Sequence, residues 1–145
     1  MLANAFGCEA KETLTAVHTQ LGPIRFVLSS SWRLDFTRAE IERVFACNGL
    51  DFVVTGLAGD DSWATPVSAF GVRAEEIQSW LTRHHRGESF IVLDDAASGM
   101  ELADCAAMPG NPLFKRVVLC EVGVGLVQDL LHPVMEILRR SCTQL

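Results

Sequence analysis

The sequence has 145 residues, 49% of them hydrophobic, with 12 Lys+Arg against 18 Asp+Glu and a net charge of −6. That length fits one domain, residues 1–145, and lets a chain bury roughly 68–70% of its unfolded surface without disulfide staples. A charged fraction of 21% and a mean hydropathy of +0.24 exclude a disordered tail. No uncharged apolar run reaches the roughly 18–20 residues of a membrane span, and the N-terminus lacks the basic and apolar regions of a signal peptide. These features predict a soluble, cytoplasmic protein. The negative charge argues against a nonspecific nucleic-acid binder. The one basic run, Arg83-His84-His85-Arg86, reads as a solvated helix end, where cations suit the dipole. Cys8, Cys47, Cys105, Cys120 and Cys142 form no C-x-x-C pair and have no His at zinc spacing. They read as reduced thiols used as small apolar residues.

In chain order, Leu14, Val17, His18 and Leu21 share one face of a helix over 10–21, which Gly22-Pro23 ends. Ile24 to Leu28 reads as a buried strand, followed by Ser29-Ser30-Ser31. Thr37 and Glu40 form a capping box for a helix with Ile41, Val44 and Phe45 inward, ending near Asn48-Gly49. Phe52-Val53-Val54 reads as a second strand and 56–70 as a loop broken by Gly56, Gly59, Asp60-Asp61 and Pro66. A helix over 72–86 carries Ile77, Trp80, Leu81 and His84 on one face. Phe90 to Leu93 is a strand ending at Asp94-Asp95. Ser98 to Glu101 opens a short helix to about 106, and a loop covers Met108 to Pro112. Arg116 to Cys120 is the last strand. A final helix spans 126–140, with Pro133 kinking it or limiting its first part to a short turn. Apolar strands alternating with amphipathic helices predict an α/β fold with a mainly parallel sheet covered on both faces.

Ligands of such sheets bind at the carboxyl ends of the strands. Ser29 and Ser30 offer hydroxyl and backbone donors to an anion there, although serines also serve as turn residues. Asp94 and Asp95 offer hard oxygens to a divalent cation, although such acids also cap helices. Together they suggest phosphate plus magnesium. Arg73 precedes Glu75-Glu76 at a helix start, where the dipole disfavours a cation, and could reach a phosphate. Trp32, Trp63 and Trp80 read as packing residues, with Trp32 shaping the crevice wall. The glycines form neither G-x-G-x-x-G nor a Walker pattern, and no G-x-S-x-G occurs.

The run Phe26-Val-Leu-Ser-Ser-Ser-Trp-Arg33, then Thr65-Pro66, Arg73 to Leu81, Phe90-Ile-Val-Leu-Asp-Asp95 and Gly125-Leu126, resembles the haloacid dehalogenase (HAD) superfamily. It looks most like the HAD domains of Swiss Army Knife RNA repair proteins, over about residues 10–138. The resemblance implies a HAD-like, Rossmann-like three-layer sandwich. It implies that Ser29 or Ser30 and Arg73 bind a phosphoryl group and that Asp94 and Asp95 help hold magnesium. It further implies a phosphohydrolase acting on a phosphorylated small molecule or nucleic-acid end.

The family's first motif, a strand ending in Asp-x-Asp that supplies nucleophile and acid/base, has no counterpart. The expectation is a catalytically impaired domain whose first core strand is missing. The runner-up is a magnesium-dependent phosphatase with a truncated start, short of about 20–30 residues. A third reading is an oligomerisation or interaction module. An empty central slot would part the sheet by roughly 10 Å and leave unpaired edges. Three outcomes are open: strands 24–28 and 90–93 pair directly, a second copy or partner supplies a strand, or the sequence is a fragment whose start lies upstream.

Overall fold

A computed structural model describes residues 6–57, 60–122 and 124–142. The breaker Gly59, and the first five residues of the N-terminal stretch read as no signal peptide, lie outside them. Helix α1 (Cys8–Leu21) has Glu9 in its first turn and His18 in its last, as the dipole favours. Gly22 closes it at φ 80, its N–H donating to the His18 carbonyl. The segment 24–28 then runs extended. It makes single parallel bridges, Phe26 with Leu57 and Leu28 with Ala64, instead of a continuous ladder.

After the serines the chain turns through α2 (Trp32–Asp35), a short helix the sequence pattern did not predict. Helix α3 (Arg38–Cys47) opens on the expected box: the Thr37 side chain accepts from the Glu40 N–H, and the Glu40 carboxylate accepts from the Thr37 N–H. Phe52-Val53-Val54 is not a strand. It lies inside helix α4 (Asp51–Gly56). The turn at Gly49, φ 72, folds the Leu50 N–H back to the Phe45 carbonyl and starts a helix at once. A run of three apolar residues looks the same in a strand and in a buried helix turn; here only Val53 is fully buried. The strand position passes to Leu57 and Ala64 on either side of a 3₁₀ turn, Asp61–Trp63, so 56–70 is not wholly loop.

Helix α5 (Arg73–His84) ends with Arg83 and His84 in its last turn. Strand β1 (Val92–Asp95) starts two residues later than the sequence suggested, so Asp94 and Asp95 belong to the strand itself. It pairs in parallel with β2 (Val117–Cys120), in register from Val92 opposite Val117 to Asp95 opposite Cys120. Between them lies α6 (Met100–Ala107), which begins after Gly99 and has no Ser98 cap. The expected last helix is divided into a 3₁₀ turn, Gln128–Leu130, and α7 (Leu131–Arg139). Pro133 falls in the first turn of α7, where its missing N–H forfeits no intrahelical bond.

Three apolar clusters define layers. Val17, Val118 and Val134, with Ile24 and Leu93 packed against them, join α1 and α7 to one face of the strands. Ile41, Phe45 and Val53, with Leu14, Phe26 and Leu28, extend that face toward α3 and α4. Ala74, Ile77, Val92 and Leu102 join α5 and α6 to the opposite face. The result is the expected Rossmann-like sandwich, with its sheet in two parallel pieces. Direct pairing of 24–28 with 90–93 does not occur: among the described residues no backbone hydrogen bond joins 24–28 to β1. No helix is long and apolar enough to cross a membrane, among the described residues.

Candidate functional site

Parallel strands place their carboxyl ends on one edge, and three candidate groups meet there through the first turn of α5. Arg73, the first residue of that helix, donates Nη1 to Asp94 Oδ2 at 2.5 Å. One turn on, Glu76 Oε2 accepts from Arg33 Nη2 at 2.7 Å. Both side chains of the second pair are almost fully buried, at 5% and 6% exposure. Arg73 is therefore no misplaced cation at a helix start; a carboxylate from β1 neutralises it.

Arg33 fixes the serine loop. Its Nη1 donates to the Ser29 and Ser30 carbonyls at 2.9 and 2.8 Å, and its Nε donates to the Thr65 carbonyl at 2.9 Å. Glu76 Oε2 also accepts the Ser68 N–H at 3.0 Å. One guanidinium thus gathers the turn after 24–28, the turn after Ala64 and helix α5. Ser29 and Ser30 are half-buried. No hydrogen bond joins either hydroxyl to Arg73, Asp94 or Asp95 among the described residues, so the serine loop is linked to the acid pair only indirectly, through Arg33, Glu76 and helix α5.

The two aspartates differ. The Asp94 side chain is 7% exposed and doubly engaged, by Arg73 at Oδ2 and by the Asp95 N–H at Oδ1. Asp95 Oδ1 accepts the Ser98 N–H at 2.8 Å. That backbone bond, foremost, holds the Asp95 carboxyl below its ordinary value, and the Arg73 charge adds to it. Beneath them, burial pushes the Cys120 thiol up, and the two carboxylates push in the same direction. Gly99 completes the floor: a Cβ there would come within 2.9 Å of the Asp95 backbone carbonyl, so only glycine lets α6 begin this close to β1.

Arg33 and Glu76 carry no role in the sequence reading, though both fall inside the quoted motifs. Their signal was spacing. Glu76 lies three residues after Arg73, so both occupy one helix face, and Arg33 is a cation set between apolar residues. Trp32 stands edge-on to Phe6 and Phe36 in the α3 cluster, so it packs the core behind the serine loop. His18, as expected, is a partly buried helix residue, stacked on Phe52 at 4.3 Å.

A family model for the HAD domain in Swiss Army Knife RNA repair proteins matches residues 3–130. The chain belongs to this HAD family. No curated protein and no solved structure matches it. Among the described residues no group of three His, Cys, Asp or Glu side chains could hold a metal. Asp94 is committed to Arg73, which leaves Asp95 as the freer oxygen donor. Two carboxylates, one already neutralised, do not make a self-sufficient magnesium site, since such a site needs six oxygens and draws the remainder from water and phosphate.

Proposed function

We propose that this HAD domain binds the terminal phosphoryl group of a nucleotide or nucleic-acid end and does not hydrolyse it by an aspartyl-phosphate route. One observation carries the reading: the first turn of α5 ties the serine loop, through Arg33–Glu76, to the acid pair, through Arg73–Asp94. In that arrangement Ser29 and Ser30 supply hydroxyl and amide donors, and Arg73 supplies a cation at partial exposure. Binding requires Arg73 to share or leave Asp94, a direct exchange of one anion for another. The lack of hydrolysis by this route follows from chemistry: no Asp-x-Asp occurs in the 145 residues, and Asp94 is bound to Arg73 rather than free to attack. The family's setting in RNA repair supports a nucleic-acid end as the ligand. Magnesium enters this reading only alongside bound phosphate, with Asp95 as its protein ligand.

An aryl phosphate assay with and without magnesium tests the second half of the reading. The expected result is no turnover above buffer, with inorganic phosphate still protecting the protein from thermal unfolding. Turnover that Asp94→Asn abolishes would refute it.

A further inference from the structure

Single apolar residues scatter over most soluble surfaces, whereas their concentration on one face marks a contact region. Seven large apolar side chains are exposed among the described residues. Six of them, Leu34, Val67, Phe70, Met100, Val122 and Val124, lie on the segments 29–35, 65–72, 96–101 and 121–124. Those segments leave the carboxyl ends of 24–28, Ala64, β1 and β2, the edge that also carries Ser29, Ser30, Arg73 and Asp94. Protein–protein interfaces have an apolar centre and a polar rim. Here the apolar residues are divided among four segments, and the charged groups of the strand ends stand among them. Phe70 differs from every other phenylalanine. It is 90% exposed. The other seven of the eight pack on a ring or under a cation, and Phe70 has no such partner among the described residues. Its turn is nonetheless fastened. The Ser68 N–H donates to Glu76 Oε2 at 3.0 Å, the Ser68 carbonyl accepts the Gly71 N–H at 3.2 Å, and Ser68 Oγ accepts the Val72 N–H at 2.8 Å. Gly71, at φ 65, closes the turn. An aromatic ring is thus held in solvent three residues before Arg73, a reach of at most about 10–11 Å.

We propose that Phe70 is the stacking platform for the base of one unpaired nucleotide whose phosphoryl group lies at Arg73. A nucleotide carries an anionic group and a flat apolar face one sugar apart, which fits that reach. A sugar phosphate or a phosphorylated side chain such as phosphoserine has the anion without the flat face. Every base has a π-face, so the platform accepts any of them. A base inside a duplex has both faces covered, which makes the ligand unpaired. Recognition stops at one nucleotide, because tracking a longer strand requires a basic groove. The four segments hold a single cation, Arg33, and Glu76 neutralises it. The net charge of −6 opposes further phosphates. A free nucleotide and the last nucleotide of a single strand present the same chemistry. The base platform rests on the reading of Arg73 as the phosphoryl cation and adds to it the feature that tells a nucleotide from other phosphates.

The test is a calorimetric titration of the full chain with ribose 5-phosphate, with adenosine 5′- and 3′-monophosphate, and with a single-stranded dodecaribonucleotide carrying the same terminal nucleotide. The better adenosine monophosphate should bind about tenfold more tightly than ribose 5-phosphate. Phe70→Ala should remove that margin and leave ribose 5-phosphate binding as it was. Phe70→Leu, apolar but without a ring, should lose the margin too, and Phe70→Trp should keep it. Because the ring packs on no other, all three variants should melt with the wild type; should one fail to fold, the other two decide. Dodecamer binding within threefold of the mononucleotide supports a strand end as the source, and weaker dodecamer binding supports the free nucleotide. A dodecamer more than threefold tighter overturns the limit of one nucleotide. Equal binding of ribose 5-phosphate and both adenosine monophosphates, or a margin that survives Phe70→Ala, overturns the base platform and leaves the phosphoryl reading standing. Absence of binding by all four ligands overturns both. A dimer in light scattering that Phe70→Ala dissolves assigns the ring to a second copy and overturns the proposal.

Discussion

Two buried arginines sit at opposite ends of the parallel strands and gather loops there with different chemistry. Arg116, just before β2, donates to the carbonyls of Ile137, Arg140 and Ser141 and to the Ser89 hydroxyl. It ties the end of α7 to the start of the strands through neutral oxygens. Arg33, after 24–28, collects the Ser29, Ser30 and Thr65 carbonyls and adds a carboxylate, Glu76. The first hub closes a helix end. The second carries a charge pair into the serine loop, one turn of α5 away from Arg73 and Asp94. A cation among carbonyls fastens structure; a cation paired to an acid on the site's own helix also sets where that site's loops stand.

Substitutions can break the comparison. The largest effect is expected for Arg33→Ala, which leaves Glu76 buried without its partner at a cost of about 3–5 kcal/mol. Urea unfolding should show it, and phosphoryl binding should fall in the fraction still folded. Arg116→Ala should cost about 2–3 kcal/mol through its stranded carbonyls, while the folded fraction binds phosphoryl ligand normally. Equal loss of binding in both variants would erase the distinction. Gly56→Ala drives a Cβ into the Ile24 carbonyl and the Phe26 ring; a loss of about 1–3 kcal/mol in melting experiments is expected.

The smallest effect sharpens the acid pair. The Asp95 carboxyl is depressed below 3.8 by the Ser98 N–H. Its contribution to stability is therefore present above that value and lost as the pH falls through the lower folded value. Asp95→Asn should flatten the acid limb of the stability profile and leave neutral pH nearly unchanged, because the asparagine keeps an Oδ1 that can accept the Ser98 N–H. An acid limb that keeps its wild-type shape in that variant contradicts the assignment.

Much of the layering was legible in the sequence, and the reasons are local. The Thr37–Glu40 box, Gly22 after α1 and the apolar faces of α1, α3 and α5 are written in neighbouring residues. The Phe52–Val54 assignment failed because helix and strand share that pattern when only three residues are apolar, and the turn at Gly49 decided between them. Ser29, Ser30, Asp94 and Asp95 were legible as residue types at strand ends, and Arg73 as a cation at a helix start. That Arg73 bonds Asp94, 21 residues away in sequence, was not. Arg33–Glu76, separated by 43 residues, was invisible for the same reason: a pair made by folding leaves no periodic trace.

Phosphoryl binding centred on Arg73 has a direct test. The direct measurement is a calorimetric titration of a short oligoribonucleotide, with a terminal phosphate or a terminal hydroxyl, into the wild-type chain and Arg73→Ala. The phosphorylated end should bind at least tenfold more tightly to the wild type, and Arg73→Ala should remove the preference while the protein stays folded. Equal affinity for both ends in the wild type, or a preference that survives Arg73→Ala, would contradict it.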